Sequence, residues 1–498
     1  MASVLIFLPL AGGVLAALWP GTAERGGRGP GFVSLLFCAA TLGLTIGLLI
    51  GFDSGGGLQN VTNVSWIPEL GIRYKLGLDG LNLFLVALTA LLWLAATAWA
   101  VLPAHSGGLA RPRLFFLMLA LGETAVLGAF CAQDLALFVL FFDLMLVPFY
   151  FLIGIWGGPD RVRATTTFVI YTLVGSLLML AAAIATGVLA TPEGQEVSFE
   201  LTELARRGLS EGTQEWIFLC FALAFLVKMP AFPLHAWVPG AYQAAPTPVV
   251  AVLSGVLSKV AAYGFLRIVL PVFPDASVTF QELMLVIAVA SILYGSVLAF
   301  TQTSATLVVA YSSIAQLGFI TLGIFSLRDE GAQGAVIQMV NHGLVVVPLF
   351  FIIALLAARV GGTDDLRHMG GLALRAPVLA ALFLIVALAT LAMPGSANFV
   401  GEFLILAGVF KAKIVYALVA GAGVVLAAVY MIRLYQRSMH NPLPPGAESR
   451  EMSVADGLVI VPIVAVILFL AVYPQFVLER SEDAVQSAAR PPQVVAVR

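Results

Sequence analysis

Charge is what this chain of 498 residues has least of. Only 10% of its residues are Asp, Glu, Lys or Arg, against 60% hydrophobic ones, and mean hydropathy is +1.02. Soluble globular domains carry about a quarter charged residues, so that class is excluded. A net charge of −2 leaves no basic footprint for nucleic acid. Cysteine is nearly absent too: Cys38, Cys131 and Cys220 stand singly in apolar stretches with no CxxC pair. That argues against a Cys-ligated iron–sulfur cluster or a zinc site. The histidines, His105, His235, His342, His368 and His440, include no helical pair spaced for haem or a metal. The chain is therefore expected to hold no cofactor or metal and to do no redox chemistry itself. Its first apolar stretch, Val4 to Trp19, lacks a basic leading region and a cleavage site, and reads as a retained helix rather than a signal peptide.

What is present is long apolar runs. A bilayer core of about 30 Å needs roughly 20 apolar residues per helix. Spans are predicted near 2–19, 32–52, 79–103, 113–130, 135–156, 165–190, 216–238, 247–270, 281–300, 305–326, 334–358, 376–411, 414–436 and 454–475. The fold class is an all-α polytopic membrane protein with about 14 transmembrane helices. The longest connector, 191–214, is acidic and predicts one surface helix around Phe199 to Arg207.

Two of these segments are interrupted. The seventh reads FLCFALAFLVKMPAFPLHAWVPGAYQAAPTP from Phe218, with Lys228, Pro230, Pro233 and His235 at membrane depth. Proline removes a backbone donor and clashes with the preceding turn. Irregular backbone at that depth persists only where protein or a water-filled cavity covers it. The twelfth, Ala376 to Lys411, is too long for one crossing, and Met393-Pro394-Gly395-Ser396-Ala397-Asn398 marks a break beside Glu402. Breaks five segments apart suggest two five-helix repeats, helices 4–8 and 9–13, inverted because five is odd. The chain then divides into 1–112 (helices 1–3), 113–270 (first repeat), 281–436 (second repeat) and 437–498 (helix 14 and tail).

A charge near the bilayer centre costs at least about 2.5–3.5 kcal/mol. This chain places Glu123, Asp143, Lys228, Lys259 and Glu402 there, with His342 as a group titratable near neutrality. Of twenty arginines and five lysines, two lysines lie within the membrane. Lysine can lose its proton on desolvation, whereas arginine effectively cannot. A relay needs groups that switch, and a carboxylate near a lysine would tune its hold on a proton. Any one of these charges could be a structural tether, Glu123 above all, since Gly122 and Thr124 suggest a close helix contact. Six together are not explained that way. His235 is either a helix cap or a relay member. Asp79 is expected to cap the third helix, Arg267 to snorkel at the membrane interface, and His105, His368 and His440 to be solvated.

The stretches LVKMPAFPLHAWVPGAYQAAPTPV, LSKVAAYGFLR, AYSSIAQLGF, GAVIQMVNHGL and MPGSANFVGEFLIL resemble the antiporter-like membrane subunits of respiratory complex I. The resemblance covers roughly residues 75–435, and the QMVNHGL and PGSANFVGEF blocks favour the NuoM type, the bacterial counterpart of mitochondrial chain 4. It implies fourteen helices with inverted repeats and one proton pathway in a bacterial plasma-membrane protein. FMN, iron–sulfur clusters and quinone would then belong to partner subunits, and the other membrane subunits of complex I, especially the sister antiporter-like ones, would be the partners. By the resemblance Asp143 is the fifth-helix carboxylate paired with Lys228, Lys259 the central lysine, His342 the eleventh-helix histidine and Glu402 the terminal carboxylate. His235 lies where the family has a polar group after the second proline. The family's usual fifth-helix Glu is Asp143 here. Gly240 and Tyr242 stand where Asp and His are common, and Ser304-Ala305-Thr306-Leu307 replaces a charged run before helix ten. A subunit of a multi-subunit cation/proton antiporter, or of an energy-converting hydrogenase, is the alternative.

Overall fold

The structure is a computed structural model, and it describes residues 1–20, 28–102, 109–443, 446–448 and 450–489. The connector at 21–27 and His105 lie outside the described residues. Helices α1 (Ala2–Ala17) and α2 (Arg28–Ile50) precede a β-hairpin, β1 (Gln59–Ile67) and β2 (Ile72–Leu78). Then come α3 (Leu83–Val101), α4 (Pro112–Cys131), α5 (Leu135–Trp156, with a turn at Met145) and α6 (Arg161–Leu189). The surface helix α7 (Leu201–Arg207) leads to α8 (Glu211–Lys228), α9 (Trp237–Ala244) and α10 (Thr247–Val272). Next are α11 (Pro274–Thr279), α12 (Gln281–Thr301), α13 (Ala305–Ile324) and α14 (Asp329–Arg359). The chain closes with α15 (Pro377–Thr390), α16 (Ala397–Ala412), α17 (Ile414–Met439), α18 (Val454–Val472) and α19 (Gln475–Ala489). Eleven of these helices are long and apolar enough to cross a membrane, so the chain is a multi-pass, essentially all-helical membrane protein.

Burial sorts the helices into centre and rim. The apolar stretch of α10 is 100% buried and that of α14 94%, whereas α2 is 22% and α17 33% buried. The rim helices are patterned for lipid. On α6 the exposed residues are Leu173, Val174, Leu177 and Ile184, and the buried ones include Thr172, Gly175, Ser176 and Ala183. Without water to drive apolar surfaces together, small residues let backbones approach and large apolar ones face the lipid. A Cβ on Gly175 would stand 3.2 Å from the Ala224 backbone, which brings α6 onto α8.

Three features depart from the sequence reading. The first is the hairpin, which an all-α assignment leaves out. Its β-branched and aromatic residues suit a strand pair. It is fastened to the bundle where Arg73 N donates to Asp134 Oδ2 at 3.1 Å and the Lys75 ammonium meets the Glu200 carboxylate. Asp134 also accepts from Ala136 N and Leu137 N, capping α5. The second is α19, an amphipathic helix within the expected tail, burying Val477, Ser481 and Val485. The third is α7, which begins at Leu201 rather than Phe199 because the Phe199 carbonyl accepts from Leu135 N at 2.7 Å.

Candidate functional site

The seventh segment is broken where the prolines fall. Lys228 ends α8, and the chain turns through Met229–Ala236 before α9. Polar backbone exposed by the break is recovered locally. Trp237 Nε1 donates to the Val227 carbonyl at 2.8 Å, Ala231 N to the Leu226 carbonyl at 2.9 Å, and Phe232 N to Ser291 Oγ at 2.9 Å. Lys228 itself is buried. Its ammonium donates to the Phe142 carbonyl at 3.4 Å and sits 4.6 Å from the Phe142 ring centre. Asp143, the next residue, is the opposite charge that acts on Lys228. Among the described residues no ion pair within 4 Å joins the two, and Asp143 Oδ1 has no partner. The pair is adjacent in field but not in contact.

The N-cap of α9 is Ala236, and the His235 side chain is not its cap. Its ring packs against Phe232 (centroids 5.9 Å) and Tyr294 (4.9 Å), and Nδ1 is unpartnered.

Lys259 lies on α10 between two π-helical stretches, Leu253–Leu257 and Phe265–Val269. A π-turn shifts the backbone ladder from i−4 to i−5 and leaves carbonyls out of register. The Lys259 ammonium takes one of them, donating to Ser254 O at 2.5 Å. Lysine 259 is fully buried and close enough to act electrostatically on His342 of α14. The two helices meet through glycines: a Cβ on Gly343 would stand 2.7 Å from the Gly255 carbonyl oxygen. His342 Nδ1 also lacks a partner.

The twelfth segment breaks between α15 and α16, through Ala392 at φ 55° and Gly395 at φ 91°. Asn341 Nδ2 of α14 donates to the Ala397 carbonyl at the start of α16 at 2.7 Å, pinning the break. Glu402, one turn on, is buried. Its Oε1 accepts from Gln316 Nε2 at 2.8 Å, and Gln316 Oε1 accepts from Gln338 Nε2 at 2.7 Å. Glu402 Oε2, Gln338 Oε1 and both polar atoms of Asn398 remain unpartnered. The sequence reading gives this amide chain between α13, α14 and α16 no role. The signal was present, since Gln316 and Gln338 are polar side chains in the apolar blocks AYSSIAQLGF and GAVIQMVNHGL.

Glu123 is held apart from that series. Its Oε2 accepts from Cys38 Sγ at 3.3 Å, and Cys38 Sγ lies 3.5 Å from Thr97 Oγ1, a contact of α2, α3 and α4. Arg267 does not snorkel. Its guanidinium reaches both carboxylate oxygens of Asp79 at 2.5 Å, and Nε donates to Tyr263 Oη at 2.9 Å. The reason is the position of α10, which ends against protein instead of lipid. Asp79 accepts from Leu81 N and Asn82 N, and Asn82, not Asp79, is the N-cap of α3. Ser304 caps α13 and donates to Asp364 Oδ2 at 2.5 Å, so this position closes a loop inside the chain. Among the described residues no three His, Cys, Asp or Glu side chains converge on a point able to hold a metal ion.

Broken helices with buried ionisable side chains beside them are the pattern of an antiporter-like membrane protein. Residues 132–428 match the family described as NADH:quinone oxidoreductase/Mrp antiporter, TM. The chain is 36% identical over 490 residues to NADH-quinone oxidoreductase subunit M of Rhodobacter capsulatus, covering 96% of this chain and 94% of that one. A solved structure of respiratory complex I from Thermus thermophilus contains a chain of TM-score 0.88 and 32% identity, covering 98% of this chain and 100% of that one. A chain of the Mrp complex from Dietzia sp. DQ12-45-1b shares the fold, with TM-score 0.85, 22% identity, and coverage of 99% and 98%. The chain belongs to the NADH:quinone oxidoreductase/Mrp antiporter family. Within it, the chain is an antiporter-like membrane subunit of the complex I type.

Proposed function

We propose that this chain carries protons across a bacterial plasma membrane as the M-type subunit of an NADH-quinone oxidoreductase. Its path is Asp143 and Lys228, then Lys259, His342, the Gln338–Gln316 amides and Glu402, with His235 near its start and Glu123 in a lesser, bracing part. Fourteen spans complete the reading: three in 1–112, two inverted five-helix repeats in 113–270 and 281–436, and one in 437–498. FMN, iron–sulfur clusters and quinone would sit in partner subunits, and sister antiporter-like subunits would flank this one. The subunit itself would translocate without redox chemistry.

The observation that carries this reading is one series. Asp143, His235, His342, Gln338, Asn398 and Glu402 each keep a buried polar atom without a protein partner. Such atoms are costly unless water joins them. Water-bridged lysine, histidine and carboxylate side chains can pass a proton, because each is able to hold it or release it. A shift of Asp143 into contact with the Lys228 ammonium would keep the proton there, and its withdrawal would send it onward.

The test is NADH-driven proton uptake into membrane vesicles, wild type against Lys259→Met, which keeps most of the volume and removes the charge. Loss of both NADH oxidation and uptake is expected. Untouched uptake, with loss of sodium-dependent pH exchange, would reassign the chain to a cation/proton antiporter.

A further inference from the structure

A groove of about 480 Å³ runs between α15 and α17 on the rim of the bundle. Along its length it is apolar, lined by Leu384, Leu388, Leu391 and Ile432, of which Leu384 is 39% and Ile432 45% exposed. At one end it turns polar, with Tyr435, Gln436 and His440. Liquid water of that volume would be on the order of ten to twenty molecules, and the apolar walls offer them no hydrogen bonds. The walls call for an occupant with a hydrocarbon body and a polar end.

The polar end is built rather than loose. Tyr435 Oη donates to the Ala380 carbonyl at 3.4 Å, and its ring lies edge-on to His440 with centroids 5.4 Å apart. A pinned tyrosine of this kind marks the level of the lipid headgroups. Cations gather at the same end. Exposed Arg437 follows Gln436, and exposed Arg375 is brought there by the hydrogen bond from Ala373 N to the Met439 carbonyl at 3.1 Å. The neighbouring carboxylate is engaged: Glu451 accepts from Val378 N at 2.8 Å and Leu379 N at 3.1 Å, capping α15.

We propose that this groove holds one anionic glycerophospholipid, an acyl chain lying along Leu384 to Leu391 and the phosphate at Gln436, His440 and Arg437. The far end of the groove, Leu391, is the residue at which α15 stops, so the acyl chain lies against the helix break. The proposal does not depend on the proton-path reading.

Native mass spectrometry of the full-length chain in mild detergent tests it, with dioleoyl-phosphatidylglycerol, dioleoyl-phosphatidylcholine and inorganic phosphate as probes. Wild type is expected to retain one phosphatidylglycerol about fivefold better than phosphatidylcholine, the factor one cation contributes at a membrane surface. Leu384→Trp and Ile432→Trp, which fill the groove from opposite walls at exposed positions, should each remove the retained lipid while α-helical content and thermal unfolding stay unchanged. Arg437→Gln should keep lipid retention and lose the preference. Equal retention of the two lipids by all variants would overturn the site, leaving only annular lipid. Displacement by inorganic phosphate at equal concentration would overturn the lipid assignment in favour of a free anion. Co-purification of a stoichiometric membrane subunit over the groove would overturn it in favour of a protein contact.

Discussion

Gln316 donates its amide to Glu402 at 2.8 Å and accepts the Gln338 amide at 2.7 Å. One side chain therefore joins three helices and fixes which oxygen of Glu402 faces it. Amides cannot take the place of a switching acid, but they orient one.

Removing that orientation should be felt at Glu402. A hydrogen bond to a charged group contributes about 1.5–3 kcal/mol, which is at least about tenfold in an equilibrium. Gln316→Leu is expected to lower NADH-driven proton uptake by at least about tenfold in fully assembled complex, and Gln316→Glu to restore part of it. Uptake at the wild-type rate in Gln316→Leu would remove this residue from the path.

The Asp79–Arg267 pair predicts a thermodynamic asymmetry. Breaking a buried pair leaves one charge stranded and costs about 3–5 kcal/mol, whereas replacing both partners with apolar residues is often close to neutral. Arg267→Leu should lower the thermal midpoint of the purified chain strongly, and Asp79→Leu combined with Arg267→Leu should recover most of the loss. Additive losses in the double variant would contradict the pairing.

Where α10 crosses α14, the Gly255–Gly343 approach leaves no room for a methyl group, which would stand 2.7 Å from a backbone oxygen. Overpacking of this kind costs about 1–3 kcal/mol. Gly343→Ala should destabilise measurably in a denaturation titration, while Gly421→Ala, where nothing lies within 4 Å, should not.

Outside the membrane, Glu200 makes a pH prediction. Burial raises its carboxyl, but the Lys75 ammonium and the Thr202 hydroxyl outweigh that and hold it below the ordinary value. A depressed folded value adds stability that is present above the unfolded value of about 4.3 and is lost as pH falls through the folded one. The stability gap between wild type and Glu200→Gln should therefore be full at pH 6 and narrow below about pH 4. A gap that widened on acidification would show the opposite sign.

The helices were legible because twenty-residue apolar runs have few other uses, and both breaks were legible because Pro230, Pro233 and Pro394 stand inside such runs. Lys228, Lys259 and Glu402 announced themselves by their cost. Other features were hidden for physical reasons. The hairpin at 59–78 pairs residues across a turn, and nothing in hydropathy over a membrane-sized window registers it. The π-turns beside Lys259 leave no compositional mark. Arg267 read as an interface anchor because its partner, Asp79, is 188 residues away in the chain. Glutamines 316 and 338 were overlooked because an uncharged side chain is cheaper to bury than a charged one and so stands out less.

The two wide turns of α10 bear on how this gene can vary. An α-helix advances about 100° per residue, and a π-turn holds one residue more than its α counterpart. Losing one residue from Leu253–Leu257 would return that turn to α and leave Lys259, Tyr263 and Arg267 facing much as they do, whereas losing one from the α-helical Ser258–Gly264 would swing Arg267 by about 100° off Asp79. A single-codon deletion should therefore be read by where it falls, absorbed in a wide turn and ruinous between the two. The extra residue of the first wide turn serves the out-of-register Ser254 carbonyl that Lys259 meets, not the helix's register.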